Sequence, residues 1–136
     1  MILNPEEKRR LVQTALEVRE LAYAPYSQYK VGAAALTQSG KTFTGVNVES
    51  AAYPTTMCAE RVAVFKAVSE GEREFTAIAI VTSNAGTSCG GCRQVMAEFG
   101  LDTLVIFAND RGEIRQEITV RDLLPGAFTP KDLPRP

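Results

Sequence analysis

Histidine does not occur anywhere in these 136 residues. Its absence excludes Ser-His and Cys-His catalysis and every imidazole-ligated metal site, so a metal here must take sulfur or oxygen. Cysteine is scarce: there are three, an odd number that argues against a disulfide framework in a chain with no sign of secretion. An excess of either charge is also missing, with 15 Lys and Arg against 16 Asp and Glu. Without a basic surplus, a nucleic acid polymer is not an expected partner. No apolar run approaches the roughly 18–20 residues that cross a bilayer, so no membrane partner is expected. Met1–Glu7 has neither a basic n-region nor an apolar h-region, which points away from a signal peptide and towards a cytoplasmic location. Linkers, repeats and low-complexity tracts are lacking too. Residues 1–136 are expected to form one domain, and a 45% hydrophobic content suffices for a core.

The apolar residues predict an alternation of helices and strands. Asn4 and Pro5 have the chemistry of a helix start, and Leu11, Val12, Ala15, Leu16, Val18 and Leu21 recur at helical spacing over 5–22. Lys30–Thr37 and Lys41–Val46 flank Gln38-Ser39-Gly40 as a hairpin. A helix runs from Cys58 to Glu70, with Val62, Phe65, Ala67 and Val68 as its apolar positions and Gly71 as its end. Phe75–Thr82 and Thr103–Ala108 read as buried strands, with a helix from the Cys89–Cys92 segment to about Phe99 between them. A strand near Glu113–Ile118, a short helix over Thr119–Leu124 and an extended Pro-rich tail complete the chain. This pattern predicts an α/β fold, a three-layer α/β/α sandwich around a mixed sheet.

All three cysteines fall at predicted helix starts. Cys58 opens one helix, and Cys89 and Cys92 open another in a C-x-x-C. The positive end of a helix favours thiolate over thiol, and zinc is the natural cation for a sulfur set. A structural zinc site wants four protein ligands, whereas three leave a position for water, the catalytic arrangement. Two other readings of the cysteines stay open at this point: a thioredoxin-like redox pair, and a non-catalytic zinc fold.

Cys58-Ala59-Glu60-Arg61 and Cys89-Gly90-Gly91-Cys92 together resemble the signature of the zinc nucleobase deaminases. The chain looks like the small, all-cysteine, homotetrameric cytidine deaminases. Ala24-Pro25-Tyr26-Ser27, Lys30-Val31-Gly32-Ala33-Ala34, Gly45-Val46-Asn47-Val48-Glu49, Cys92-Arg93-Gln94-Val95 and Leu123-Leu124-Pro125 carry the resemblance over nearly the whole length. It implies a five-stranded sheet and one Zn²⁺ per subunit on Cys58, Cys89 and Cys92. Glu60 would be the proton carrier, and Arg61 would offset the charge of the thiolates. The small-molecule partner would be a pyrimidine nucleoside, with Asn47 and Glu49 on its ribose. Tyr29, where the family usually has Phe, would pack against the base, and Ala59 and Thr87 would complete the substrate contacts. Ala51, Tyr53 and Phe128 match positions that reach a neighbouring subunit's pocket. The implied reaction is hydrolytic deamination of cytidine and deoxycytidine in pyrimidine salvage.

The resemblance has departures. Ser88 stands where the signature has proline, so the turn before Cys89 gains an N–H, a hydroxyl and freedom. A looser loop there would suit the alternative reading, a deaminase or amidohydrolase of this fold acting on N4-modified cytosine nucleosides or a nucleoside antibiotic. Val46 and Ser50 replace a cysteine and an asparagine common in the family. The segment Ser83–Thr87 is short by comparison.

Overall fold

The computed structural model describes residues 2–134. In chain order the elements are α1 (Pro5–Arg19), β1 (Gly32–Thr37), β2 (Thr42–Val46), α2 (Ala59–Ser69), β3 (Phe75–Val81), α3 (Gly90–Glu98), β4 (Leu104–Ala108), β5 (Ile114–Thr119) and α4 (Val120–Leu123). The five strands form one sheet in the order β2-β1-β3-β4-β5. Only β3 and β4 pair in parallel, joined through α3. The other neighbours are antiparallel, which makes the sheet mixed.

The sheet is covered on both faces, as an α/β/α sandwich requires. On one side Leu11, Val12 and Ala15 of α1 pack on Ala34, Ala77, Ala79, Val81 and Ile106. On the other, Ala63, Val64 and Ala67 of α2, Met96 and Ala97 of α3, and Val120 and Leu123 of α4 meet Ala33, Ala35, Ile78, Ile80, Val105 and Phe107. Strand β3 is buried at every position because its alternate side chains serve the two cores. It gives Ala77, Ala79 and Val81 to the α1 side and Ile78 and Ile80 to the α2 side.

Local chemistry sets the helix entries. Asn4 Oδ1 accepts from the Glu7 N–H at 2.8 Å, and Glu7 Oε1 accepts from the Asn4 N–H at 3.0 Å, a complete capping box with Pro5 in the first turn. Helix α2 sits hard against β2 at Gly45, where an added Cβ would lie 2.5 Å from both the Ala59 carbonyl oxygen and the Ala63 nitrogen. This close approach fixes the height of α2's first turn above the sheet, and with it Cys58 and Glu60.

Three expectations are corrected. Helix α1 ends at Arg19, not 22, and Leu21 is 75% exposed. The chain leaves the helix so that the Tyr23 N–H can reach the Asn47 carbonyl and the Glu49 N–H the Tyr23 carbonyl. In α2 the inner face is Ala59, Glu60, Ala63, Val64 and Ala67, and with Ala59 and Ala63 set against Gly45 the helical phase turns Phe65 outward, where it is exposed. The described part of the tail is not simply extended, since Pro130–Asp132 makes a 3-10 turn boxed by Thr129 and Asp132; residues 135–136 lie outside the described residues.

Candidate metal centre and substrate pocket

Strands β2 and β3 end, and β1 begins, on the same edge of the sheet, since Gly32 pairs with both Val46 and Val81. Ligand crevices in open α/β sheets form where strand ends diverge in this way. Here the segments 23–31, 47–58 and 82–89 enclose a cavity of about 290 Å³ lined by Ser27, Tyr29, Asn47, Glu49, Cys58, Ala59, Glu60, Thr82, Gly86, Thr87, Ser88 and Cys89, among others. A larger open groove of about 400 Å³ beside α1 and the β1–β2 hairpin has no comparable set of reactive groups.

The cysteines converge at the floor of this cavity. Cys58 is the N-cap of α2 and Cys89 the N-cap of α3, so two helix N-termini face one point. Among the described residues the three sulfurs are the one group of metal-competent side chains, all within 4.8 Å of one another. Cys58 and Cys89 Sγ are 4.0 Å apart, and Cys89 and Cys92 Sγ are 3.3 Å apart. Sulfurs bonded tetrahedrally to one zinc at ~2.3 Å would stand about 3.8 Å from each other, so these spacings bracket a zinc site. The residues fit the metal in donor chemistry and in size.

Electrostatics agree with that role. Arg61 Nη2 donates to Cys58 Sγ at 3.1 Å. A hydrogen bond with Cys92 and the Arg61 guanidinium hold the Cys58 thiol down at about 5. Cys92, buried and hydrogen-bonded to Cys58, is pushed up. The two thiols are thus pushed in opposite directions, Cys58 towards thiolate and Cys92 towards thiol. Glu60 is 5% exposed, and burial, followed by the nearby Cys58 charge, raises its carboxyl above the ordinary range. A buried carboxyl of raised pKa beside a metal cluster is suited to carrying protons near neutral pH.

Asn47 and Glu49 do line one cavity, and each also supports its wall. Asn47 Oδ1 accepts from the Val31 N–H at 2.9 Å, and its Nδ2 donates to the Tyr29 carbonyl at 2.8 Å. Glu49 Oε1 accepts from the Tyr26 and Ser27 N–H groups at 3.0 Å, and Oε2 accepts from the Ser27 hydroxyl. These bonds, the Ser27 hydroxyl first, hold the Glu49 carboxyl below its usual range. Tyr29, Ala59 and Thr87 lie on the same cavity. Cys92 and Arg61 stand behind its floor. Ala51, Tyr53 and Phe128 do not reach the cavity of their own chain and are exposed. Tyr53 instead sets its ring edge-on to Tyr26 with centroids 6.3 Å apart.

Several residues at the site were missed in the sequence. Ser27 lies within a matching segment, but only the structure shows it bonded to Glu49. Arg93 ties the metal loop down: Nε donates to the Ser88 carbonyl at 3.1 Å, Nη1 to the Leu123 carbonyl at 2.9 Å and Nη2 to Thr87 Oγ1 at 3.4 Å. The freedom expected of the Ser88 turn is thus taken up by Arg93, and Ser88 is buried with its hydroxyl unpartnered. Thr82 and Gly86 also line the cavity, and Asn84 stands behind them, bonded to the Tyr29 hydroxyl.

Residues 5–108 match the family described as the cytidine and deoxycytidylate deaminase zinc-binding region. The chain belongs to this family. It is 51% identical over 130 residues to a cytidine deaminase of Halalkalibacterium halodurans, covering 93% of this chain and 98% of that one. With a cytidine deaminase of Sporosarcina psychrophila it shares 47% over 127 residues, 91% of this chain and 93% of the other. A crystal structure of cytidine deaminase from Burkholderia pseudomallei superposes with a TM-score of 0.84 at 46% identity, covering 93% of this chain and all of that one. The family's sheet and helices are those found here, and the cysteine cluster lies within the matched zinc-binding region, positioned to bind a metal. A redox pair and a non-catalytic zinc fold are accordingly set aside.

Proposed function

We propose that this chain is a zinc-dependent cytidine deaminase, converting cytidine and deoxycytidine with water into uridine and deoxyuridine plus ammonia. The observation that carries the reading is the buried Glu60 carboxyl lining the same cavity as two of three clustered cysteine sulfurs. Relatives at 47–51% identity bear the name cytidine deaminase, so N4-modified nucleosides and nucleoside antibiotics are not favoured as substrates.

Cys58, Cys89 and Cys92 would hold the zinc, which when bound would supply the Lewis acidity that makes water a nucleophile at neutral pH. Glu60 takes the proton that water gives up as its oxygen bonds to C4 of the pyrimidine, and delivers it to N3. It then carries the second proton to the amine, which leaves as ammonia while the C4 carbonyl forms. Three thiolates and one Zn²⁺ sum to a charge of about −1, which opposes ionisation of water; Arg61, bonded to Cys58, offsets it. Asn47 and Glu49 grip the ribose hydroxyls, Tyr29 packs on the base, and Ala59 and Thr87 contact the pyrimidine edge.

The chain assembles as a homotetramer in which Ala51, Tyr53 and Phe128 complete a neighbour's pocket. The exposure of Tyr53 (74%) and Phe128 (55%) supports this, because aromatic side chains left bare on one subunit are candidates for burial in an interface. We place the activity in pyrimidine salvage in the cytoplasm. No helix among the described residues is long and apolar enough to cross a membrane.

Purified zinc-loaded protein incubated with cytidine should release uridine and ammonia in equal amounts, and Glu60→Ala should release neither. Zinc-loaded, folded protein that leaves cytidine unchanged would overturn the reading.

A further inference from the structure

The substrate cavity has two walls that are far apart in sequence. One is the segment 23–31, held from below by Asn47 and Glu49. The other is the loop from Thr82 to Cys89 that delivers a metal ligand. Among the hydrogen bonds of the described residues, one joins these walls directly: the Tyr29 hydroxyl donates to Asn84 Oδ1 at 2.7 Å. Phenylalanine at position 29 would have the ring without this bond.

The acceptor is itself fixed. Asn84 Oδ1 also accepts from Thr82 Oγ1 at 3.3 Å, and Thr82 Oγ1 accepts from the Gly86 N–H at 2.8 Å. Between Asn84 and Gly86, Ala85 takes a positive φ of 58°, which folds the loop back on itself and keeps Asn84 facing Tyr29. Gly86 leaves room for the hydroxyl: an added Cβ there would lie 2.4 Å from the Tyr29 oxygen. A four-member relay (Gly86 N–H, Thr82 hydroxyl, Asn84 carbonyl, Tyr29 hydroxyl) therefore ends on the ring that faces the cavity.

We propose that Asn84 is a positioning residue for the nucleoside: through the Tyr29 hydroxyl it clamps the base-packing ring to the metal loop and so sets the width of the cavity between them. This deepens the cytidine deaminase reading and rests on it. The clamp does not touch the reacting atoms, and it serves the ground state and the transition state alike. Its loss should raise KM and leave kcat nearly unchanged. A hydrogen bond of ordinary strength sets the scale at about 3- to 10-fold.

The test is a double-mutant cycle on zinc-loaded protein, with KM and kcat for cytidine, Kd for uridine by calorimetry, zinc content and Tm measured for each form. Tyr29→Phe and Asn84→Ala should each raise KM and Kd about 3- to 10-fold with kcat within about twofold, and the double variant should be no worse than either single one. Asn84→Asp, which keeps the acceptor, should restore values near wild type. Additive losses, an unchanged KM in Asn84→Ala, or losses confined to Tm and zinc content would overturn the clamp. Failure of the wild-type protein to deaminate cytidine would instead overturn the underlying reading, while the uridine Kd values would still report on the clamp.

Discussion

Arg61 places its Nη2 3.1 Å from the sulfur of Cys58, three residues earlier in the chain and one turn below on α2. The spacing is helical, so the pairing is built into the local sequence once α2 forms with Cys58 at its cap. The arginine holds the thiol towards its thiolate form, and with zinc in place it offsets the surplus negative charge of the site. Removing it in Arg61→Ala should cost about 10- to 100-fold in kcat, the scale of a hydrogen bond to a charged group. Cys58 then loses a partner that depresses its pKa, so protons displace zinc at a higher pH than in the wild type. Zinc release followed during acid titration checks this, and release at an unchanged pH would show that the contact is incidental.

Glu60 is the next residue to test. Its carboxyl is buried and its pKa raised by burial, which costs folding energy that a neutral amide of the same shape would not incur. Glu60→Gln should therefore keep its zinc and fold at least as stably as the wild type. With both proton transfers routed through this group, kcat should fall by about 10³-fold or more. Parallel zinc analysis and thermal melts separate the two effects. A Tm well below wild type would mean that the carboxylate, not the protonated acid, is what the fold requires.

How much of this was visible in the sequence depends on the range of each interaction. The cysteines were legible because each lies within one turn of a helix start, where cap chemistry and spacing act locally, whereas the role of Glu60 rested on the resemblance of Cys58-Ala59-Glu60 to the deaminase signature. The inner face of α2 was not legible: Phe65 fits an apolar helix pattern, but the close approach of Ala59 and Ala63 to Gly45 sets the rotation of the helix and leaves Phe65 44% exposed. Leu21 was misassigned for a similar reason, since the pairing of Tyr23 with Asn47 and Glu49 ends the helix before it. The contacts of Tyr29 with Asn84, 55 residues apart, and of Arg93 with Leu123, 30 apart, leave no periodic trace. They are set by which strand ends share an edge of the sheet, and that emerges only when the sheet order is known.

The metal loop offers a pair of opposed predictions. Ser88 buries a hydroxyl without a partner, at a cost on the order of 1–3 kcal/mol, so Ser88→Ala should raise Tm by a few degrees. Arg93 does the reverse. Its fork serves three acceptors, and Arg93→Lys keeps the charge but cannot reach all of them. The lysine variant should melt earlier and lose zinc to a chelator faster than the wild type. A rise in Tm for Ser88→Ala with no change in zinc loss for Arg93→Lys would place the strain in the loop but its anchor elsewhere.

Glu49 combines two tasks, and its surroundings separate them. The Ser27 hydroxyl and the Tyr26 and Ser27 amides hold its pKa below the usual 4.5. A depressed folded value means that the stabilisation is present above the unfolded pKa and is lost as pH falls through the folded one. Stability measured from pH 6 downward should therefore fall less steeply in Glu49→Gln than in the wild type, over the range below about 4.5. The second task is the ribose. If Glu49 grips a sugar hydroxyl, Glu49→Gln should raise KM for cytidine about 10-fold or more, because a charge-assisted hydrogen bond is replaced by a neutral one. Ser27→Ala discriminates between the tasks, since it removes the hydroxyl that orients the carboxylate and leaves the charge in place. Its KM should rise only a few-fold while its acid stability profile shifts towards that of Glu49→Gln. Equal KM losses in the two variants would mean that Glu49 acts on the nucleoside only by holding the 23–31 segment in place.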